Sequence, residues 1–237
     1  EPDERIELRA FADYFGGKPR IGQLLIRIIP DQTVKILELE KGGIDFIQND
    51  FPPDLLPRLK NNGRLKIQQE QGSHYSYLGF NLEDPILKKP EVREAIARSI
   101  NREEIIDNIL MGLATPATGL LAPSNWAYNG QVPVFNYTPV RARQLLDQAG
   151  YKDPDGEGPL PRFRLTFKTS QNELRRRIAE VIQRQLALAG IAIEIKSYEW
   201  GTFFADIQKG NFQNYTLTWV GITDPDIYYY VFHSSSF

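Results

Sequence analysis

The stretch HYSYLGFNLEDPILKKPEVREAIARSINREEIIDNILM, residues 74–111, decides the fold. Its first part alternates: Tyr75, Tyr77 and Gly79 fall on one side and Ser76, Leu78 and Phe80 on the other, the period of a strand. Its last part changes period. Val92, Ala95, Ile96, Ser99 and Ile100 recur at helical spacing. Asn101 then reads as an N-cap with Glu104 three residues on, Ile105, Ile106 and Ile109 follow, and Gly112 supplies the stop. Between the two parts lie Pro85 and Pro90. A strand therefore leaves one sheet, crosses an irregular link over residues 79–90 and enters a helical layer. This predicts that two lobes meet here and makes the link the expected hinge.

Upstream, residues 5–11 alternate Ile6 and Leu8 with charged neighbours, as a half-buried strand does. Residues 24–29 are apolar except for Arg27, which fits a buried strand ended by Pro30. Asp31 can cap a helix over 32–41 whose apolar residues are Val34, Ile36 and Leu37, closed by Gly42-Gly43. Residues 44–48 read as the next strand. Together these predict a β-α-β unit with two parallel strands. Asp50 precedes Pro52-Pro53 and a short helix with Leu55, Leu56 and Leu59, and Asn61-Asn62-Gly63 turns the chain into a further strand over 64–69.

Downstream, residues 113–137 are rich in Pro, Gly, Asn and Thr. Leu120, Leu121, Trp126, Tyr128 and Phe135 nevertheless mark a long ordered loop. Thr138-Pro139 gives an N-cap with Pro at N1, and Ala142, Leu145, Leu146 and Ala149 form a stripe closed by Gly150. After a turn-rich stretch over 153–161, Phe163, Leu165 and Phe167 alternate as a strand. Ser170 and Glu173 read as a capping box for a helix striped by Leu174, Ile178, Val181, Ile182 and Leu186. Ile191, Ile193 and Ile195 alternate again, making a second β-α-β unit. A helix with Phe203, Phe204 and Ile207 precedes a last strand with Tyr215, Leu217 and Trp219.

The totals narrow the function classes. The 237 residues carry Lys+Arg 28 against Asp+Glu 30, a formal charge of −2, and the triplet Arg175–Arg177 reads as a solvated helix face. Nothing there calls for nucleic acid. The absence of cysteine removes disulfides, thiol catalysis and cysteine-ligated metals. No apolar run approaches the roughly 20 residues of a membrane span. His74 and His233 are far apart and read as surface or packing residues, no HExxH pair suggests zinc, and no Gly-rich phosphate loop or GxSxG is present. No metal or cofactor is expected. The opening residues carry no signal peptide, and a start inside a strand pattern reads as a piece of a longer protein.

Ligands of open α/β sheets lie outside the carboxyl ends of the parallel strands. The strand ending at Trp219 runs into Val220-Gly221-Ile222-Thr223-Asp224-Pro225-Asp226, which brings an aromatic ring, a glycine, a hydroxyl and two carboxylates to such an end. Trp219, Thr223 and Asp224 are therefore candidate ligand contacts. The same residues also suit a packed Trp and a Pro-stiffened turn in which Asp224 caps the next helix. Tyr75 and Tyr77 share a face and offer large rings with one hydroxyl each, suited to a cleft or to sheet packing. Tyr228–Tyr230 reads as a helix start. Asp224 and Asp226 are the only charged candidates for an α/β enzyme, although carboxylates at i and i+2 across a proline usually point apart and acid–base pairs need convergence.

Six segments in this order resemble the bacterial extracellular solute-binding proteins that include the dipeptide- and oligopeptide-binding receptors of ABC importers. They are YFGGKPRI (14–21), IRIIPDQTVKILELEKGGIDF (26–46), YLGFN with VREAIARSINREEII, PATGLLAPSNWAY (116–128), ARQLLDQAGY (142–151) and WVGITDPD (219–226). The resemblance implies an α/β fold of the periplasmic-binding-protein type II class: residues 1–76 as part of lobe I and 77–237 as most of lobe II. It implies a monomeric receptor, periplasmic or lipid-anchored at the cell surface, that closes over a peptide or similar small solute. That receptor delivers the solute to a membrane permease and performs no reaction. A ligand-sensing module for a signalling receptor is the alternative within the same fold. The resemblance also places Tyr75, Tyr77 and Trp219 along the ligand. In peptide-binding members an Asp three residues after the Trp pairs with the peptide ammonium; here that position is Ile222. Either Asp224 takes the role from a shifted position, or the solute is an N-blocked peptide or a non-peptide.

Overall fold

A computed structural model describes residues 4–49, 51–156 and 158–236; Asp50, and Glu157 in the stretch over 153–161, lie outside the described residues. The chain divides after Gln68 into two compact units.

The first unit contains β1 (Arg5–Arg9), β2 (Gln23–Arg27), α1 (Gln32–Lys41), a 3-10 turn at Pro53–Leu55 and α2 (Leu56–Lys60). Its local signals act as expected. Asp31 accepts a hydrogen bond from the Val34 amide at the start of α1, and Gly42 ends the helix at φ 81°. Glycine reaches this left-handed region without steric cost. Arg27 of β2 donates to Glu38 at 2.7 Å and to the Gly43 carbonyl at 3.1 Å, tying strand to helix. The expected β-α-β unit does not form. β1 and β2 pair antiparallel, from Arg5↔Arg27 to Arg9↔Gln23, and neither 44–48 nor 64–69 is a strand. Alternation supplies two faces, but a strand also needs a neighbour to take its amides and carbonyls, and these segments find none. On α1 only Ile36 is buried, while Val34 and Leu37 stay exposed.

The second unit is layered. β3 (Tyr75–Phe80), α3 (Pro90–Ser99), α4 (Arg102–Asn108), α5 (Pro139–Gln148), β4 (Phe163–Ser170), α6 (Glu173–Ala187), β5 (Ile191–Tyr198), α7 (Trp200–Gln208), β6 (Asn214–Trp219) and α8 (Ile227–Phe232) follow in order. The sheet order is β3-β6-β4-β5. β4 runs parallel to both β5 and β6, so β4-α6-β5 is the expected β-α-β unit, while β3 runs antiparallel to β6. Leu165 and Phe167 of β4, Ile191 and Ile193 of β5, and the stripes of α3, α5 and α6 form one core with Leu87. Fully burying one such side chain is worth about 1.5–3 kcal/mol.

Several caps differ in detail from the sequence reading. Asn101 accepts from the Glu104 amide as expected. Asn172, not Ser170, caps α6 by accepting from the Arg175 amide; Ser170 is the last residue of β4 and its hydroxyl accepts from the Asn172 amide instead. Thr138 precedes Pro139 at the N-cap of α5, but its hydroxyl donates to the Asn136 carbonyl. Gln185 sits in the buried stripe of α6, where its amide accepts from the Asn101 amide and donates to Glu104 at 2.8 Å.

The link over 79–90 is not a joint between the two units. Both of its ends lie in the second unit, and polar side chains clamp it there. The Asn81 amide donates to the Gln213 carbonyl at 2.8 Å, and the Asn81 side chain donates to Phe212 at 2.9 Å. Gln213 donates to Asp84 at 2.8 Å, while the other Asp84 oxygen accepts from the Ile86 and Leu87 amides. All six residues of β3 pair with β6, so a boundary at 76/77 would cut a strand that the second unit holds whole.

Candidate functional site

β4, β5 and β6 all end at one edge of the second unit, at Ser170, Tyr198 and Trp219, and β3 begins there at Tyr75. The register sets Tyr75 directly opposite Trp219, Tyr77 opposite Leu217 and Gly79 opposite Tyr215, so these six residues share one face of the pair. The Tyr75 and Tyr77 rings stack at 5.9 Å and 11°. Tyr77 meets Tyr215 edge-on at 5.9 Å and 77°, and Trp219 meets Tyr230 of α8 edge-on at 5.8 Å and 87°. Gly79 is what lets Tyr215 lie down on the strand: a Cβ there would stand 2.5 Å from two of its ring carbons.

Beyond Trp219 the backbone stays paired: the Ile222 amide donates to the Ser73 carbonyl at 3.0 Å. Ile222 itself is only 5% exposed and forms a small second core with Leu120 and Leu121 from the 113–137 loop, against which Tyr75, Trp219, Ile227 and Val231 pack. That loop is held by Asn125, whose side chain donates to the Thr223 carbonyl at 2.9 Å and accepts from the Ala127 amide. Trp126, expected among its ordering residues, is 82% exposed.

The structure thus brings Tyr75, Tyr77 and Trp219 together. Thr223 and Asp224 follow on an exposed turn. One Asp224 oxygen accepts from the Asp226 amide at 2.9 Å and closes the turn across Pro225; Asp226, not Asp224, occupies the N-cap of α8.

Sequence reasoning missed two cations beside the rings. Arg102 at the start of α4 and Arg175 in the first turn of α6 are half-buried, and each is close enough for its charge to act on a phenol, Arg102 on Tyr75 and Arg175 on Tyr77. Arg175 belongs to the triplet whose sequence reads as a solvated face; its position on the first turn after the β4 end, with the cap at Asn172, is the signal that sets it apart. Burial pushes both phenols up from their ordinary value and both guanidiniums down. Arg175 also lines a cavity of about 430 Å³ with Ser170, Gln171, Asn172, Glu199 and Trp200. Among the described residues no cluster of three His, Cys, Asp or Glu side chains could hold a metal ion, and no helix is long and apolar enough to cross a membrane.

Known proteins share this fold. The family described as Bacterial extracellular solute-binding proteins, family 5 Middle, matches residues 1–237. The chain is 33% identical to the Oligopeptide-binding protein AppA of Bacillus subtilis (strain 168), over 97% of this chain and 44% of that protein. It is 30% identical to the Dipeptide-binding protein of Escherichia coli (strain K12), over 97% of this chain and 42% of that protein. The structure of the Bacillus subtilis oligopeptide-binding protein AppA in complex with a nonapeptide superposes with a TM-score of 0.87 at 31% identity, covering 100% of this chain and 48% of that one. The chain therefore spans under half the length of these relatives, and its mixed α/β fold is theirs. It belongs to the bacterial extracellular solute-binding proteins, family 5.

Proposed function

We propose that the whole protein is the solute-binding receptor of an ABC importer. It takes a peptide or a similar small solute against the β3–β6 edge and delivers it to a membrane permease, without chemistry on the solute. The observation that carries this reading is the register of Tyr75 against Trp219 at the edge where three parallel strands end. Rings there offer a large contact area and a polar rim at small entropic cost. The relatives named for dipeptide and oligopeptide binding, and the nonapeptide held by one of them, support the choice of solute. Tyr75, Tyr77 and Trp219 are the proposed contacts, with Thr223 and Asp224 at the rim. The receptor works as a monomer in the periplasm or on a lipid anchor at the cell surface. Delivery depends on the solute binding the closed form better than the open one.

Native mass spectrometry of the full-length protein tests this. The expected result is a small co-purified mass that leaves on unfolding, or one acquired from a peptide digest. A full-length protein that carries no such mass and acquires none is not a receptor of this kind.

A further inference from the structure

We infer that the outer edge of β5 is a pairing surface for a second copy of this chain, and that Gln183 of α6 holds it closed. This surface lies on the far side of the sheet from β3 and does not depend on the solute.

In the order β3-β6-β4-β5, β5 has a strand neighbour on one side only among the described residues. Such an edge offers a row of unpaired amides and carbonyls to another strand. Which groups face outward follows from the ladder. The Gln171 amide donates to the Tyr198 carbonyl at 3.0 Å, and alternate residues of a strand turn their backbone groups to alternate sides. Ala192, Glu194, Lys196 and Tyr198 therefore bond toward β4, while Ile191, Ile193, Ile195 and Ser197 offer their amides and carbonyls outward. Ile193 agrees with this phase: its carbonyl accepts from the Gln183 side chain, which reaches it from α6 at 2.7 Å. A cavity of about 570 Å³ lies along the same edge, lined by Ile193, Ile195 and Ser197 of β5 and by Arg176, Glu180 and Gln183 of α6.

The charges of β5 select the partner. Antiparallel pairing about a two-fold at Ile195 sets Glu194 opposite Lys196 of the partner subunit, and symmetry repeats the pair. It also sets the Ile193 carbonyl toward the amide of Ser197 of the partner subunit. A two-fold one residue to either side would oppose Glu194 to its own copy, or Lys196 to its own copy, and like charges directly opposite destabilise a strand pair. Both charges are accessible: the Glu194 side chain is 67% exposed and that of Lys196 is 40% exposed, and they meet each other along the strand at 3.5 Å. β5 is thus complementary to itself in one register. Gln183 already satisfies the Ile193 carbonyl which that register needs, once in each copy, so pairing must first displace two hydrogen bonds. The single chain is favoured while Gln183 stays in place.

Sedimentation equilibrium of the full-length protein, as wild type and as Gln183→Met, tests this. Met keeps the length of the side chain and removes its donor. The wild type should sediment as a monomer, and Gln183→Met as a monomer–dimer equilibrium whose dimer share rises with loading. In the Gln183→Met background, Glu194→Lys should weaken the dimer about tenfold, because it opposes lysine to lysine twice, and adding Lys196→Glu should restore it. Circular dichroism checks that each variant folds. A folded Gln183→Met that stays monomeric, a wild type that is already dimeric, or a dimer indifferent to Glu194→Lys would overturn the inference. Association that continues past two copies would overturn it as well, since an antiparallel β5 pair closes on itself.

Discussion

β1–β2 and β3–β6 are both antiparallel pairs, both rich in alternating apolar residues, and they reach opposite states. Along β1–β2 the register puts Ile6 against Ile26 and Leu8 against Leu24, an apolar face, yet all ten residues are exposed. Along β3–β6, Leu78 and Phe80 pack against the main core, and the opposite face carries the aromatic cluster with the buried Leu217 among its rings. Sequence pattern fixes which side chains share a face; burial needs another layer. β6 has β4 as its second neighbour, and β4 carries helices, whereas among the described residues β1 and β2 have no strand neighbour but each other. Two strands alone are marginal in water.

The largest expected effect breaks this comparison or upholds it. Phe167→Ala removes a ring with 0% exposure and should cost about 3–5 kcal/mol. Leu8→Ala, on the exposed ribbon, should stay within about 0.5 kcal/mol. Urea unfolding of the 237-residue chain measures both. A ribbon substitution as costly as the core one would mean that the face is covered in solution.

An intermediate effect sharpens the same contrast with glycines. Gly79→Ala drives a methyl into the Tyr215 ring and should cost about 1–3 kcal/mol, most of it recovered when Tyr215 is also changed to Ala. Gly22→Ala in the first unit meets nothing within 4 Å and should be neutral or slightly stabilising. Equal costs at the two positions would show that Tyr215 does not lie over Gly79.

The smallest effect is electrostatic. Lys168 of β4 donates to Asp206 of α7 at 2.6 Å and stands over the Tyr198 ring. The hydrogen bond from Lys168 is the first cause that holds the Asp206 carboxyl below its ordinary value of 3.8. A carboxylate with a depressed folded pKa adds stability that is fully present above the unfolded value and is lost as pH falls through the folded one. Asp206→Asn should therefore lower the urea midpoint slightly at neutral pH and converge on the wild type in strong acid. A gap that persists unchanged into acid would assign the loss to packing.

Much of the second unit was legible because its signals are local and agree with one another. The stripes of α3 and α5, the Asn101 cap and the alternation of β4 and β5 each point to the same layer. The first unit was misread where a strand needs a partner distant in sequence, as at 44–48. Asn172 was missed as a cap because Ser170 satisfied the same spacing rule while β4 ran two residues further than its apolar alternation. At the site, the faces of Tyr75 and Tyr77 follow from period 2, but the alignment of Tyr75 with Trp219 is a register between strands far apart in the chain, which no local pattern encodes. Arg175 was hidden among three arginines because the cap that sets its place in the first turn is Asn172 rather than Ser170.

The direct measurement is calorimetric affinity of the full-length protein for a peptide it retains, in the wild type and in Tyr77→Ala, Trp219→Ala and Trp126→Ala. Each ring at the β3–β6 edge should matter by about tenfold or more, and the exposed Trp126 ring not at all. If Tyr77→Ala and Trp219→Ala bind as the wild type does while remaining folded, the solute does not sit against this edge.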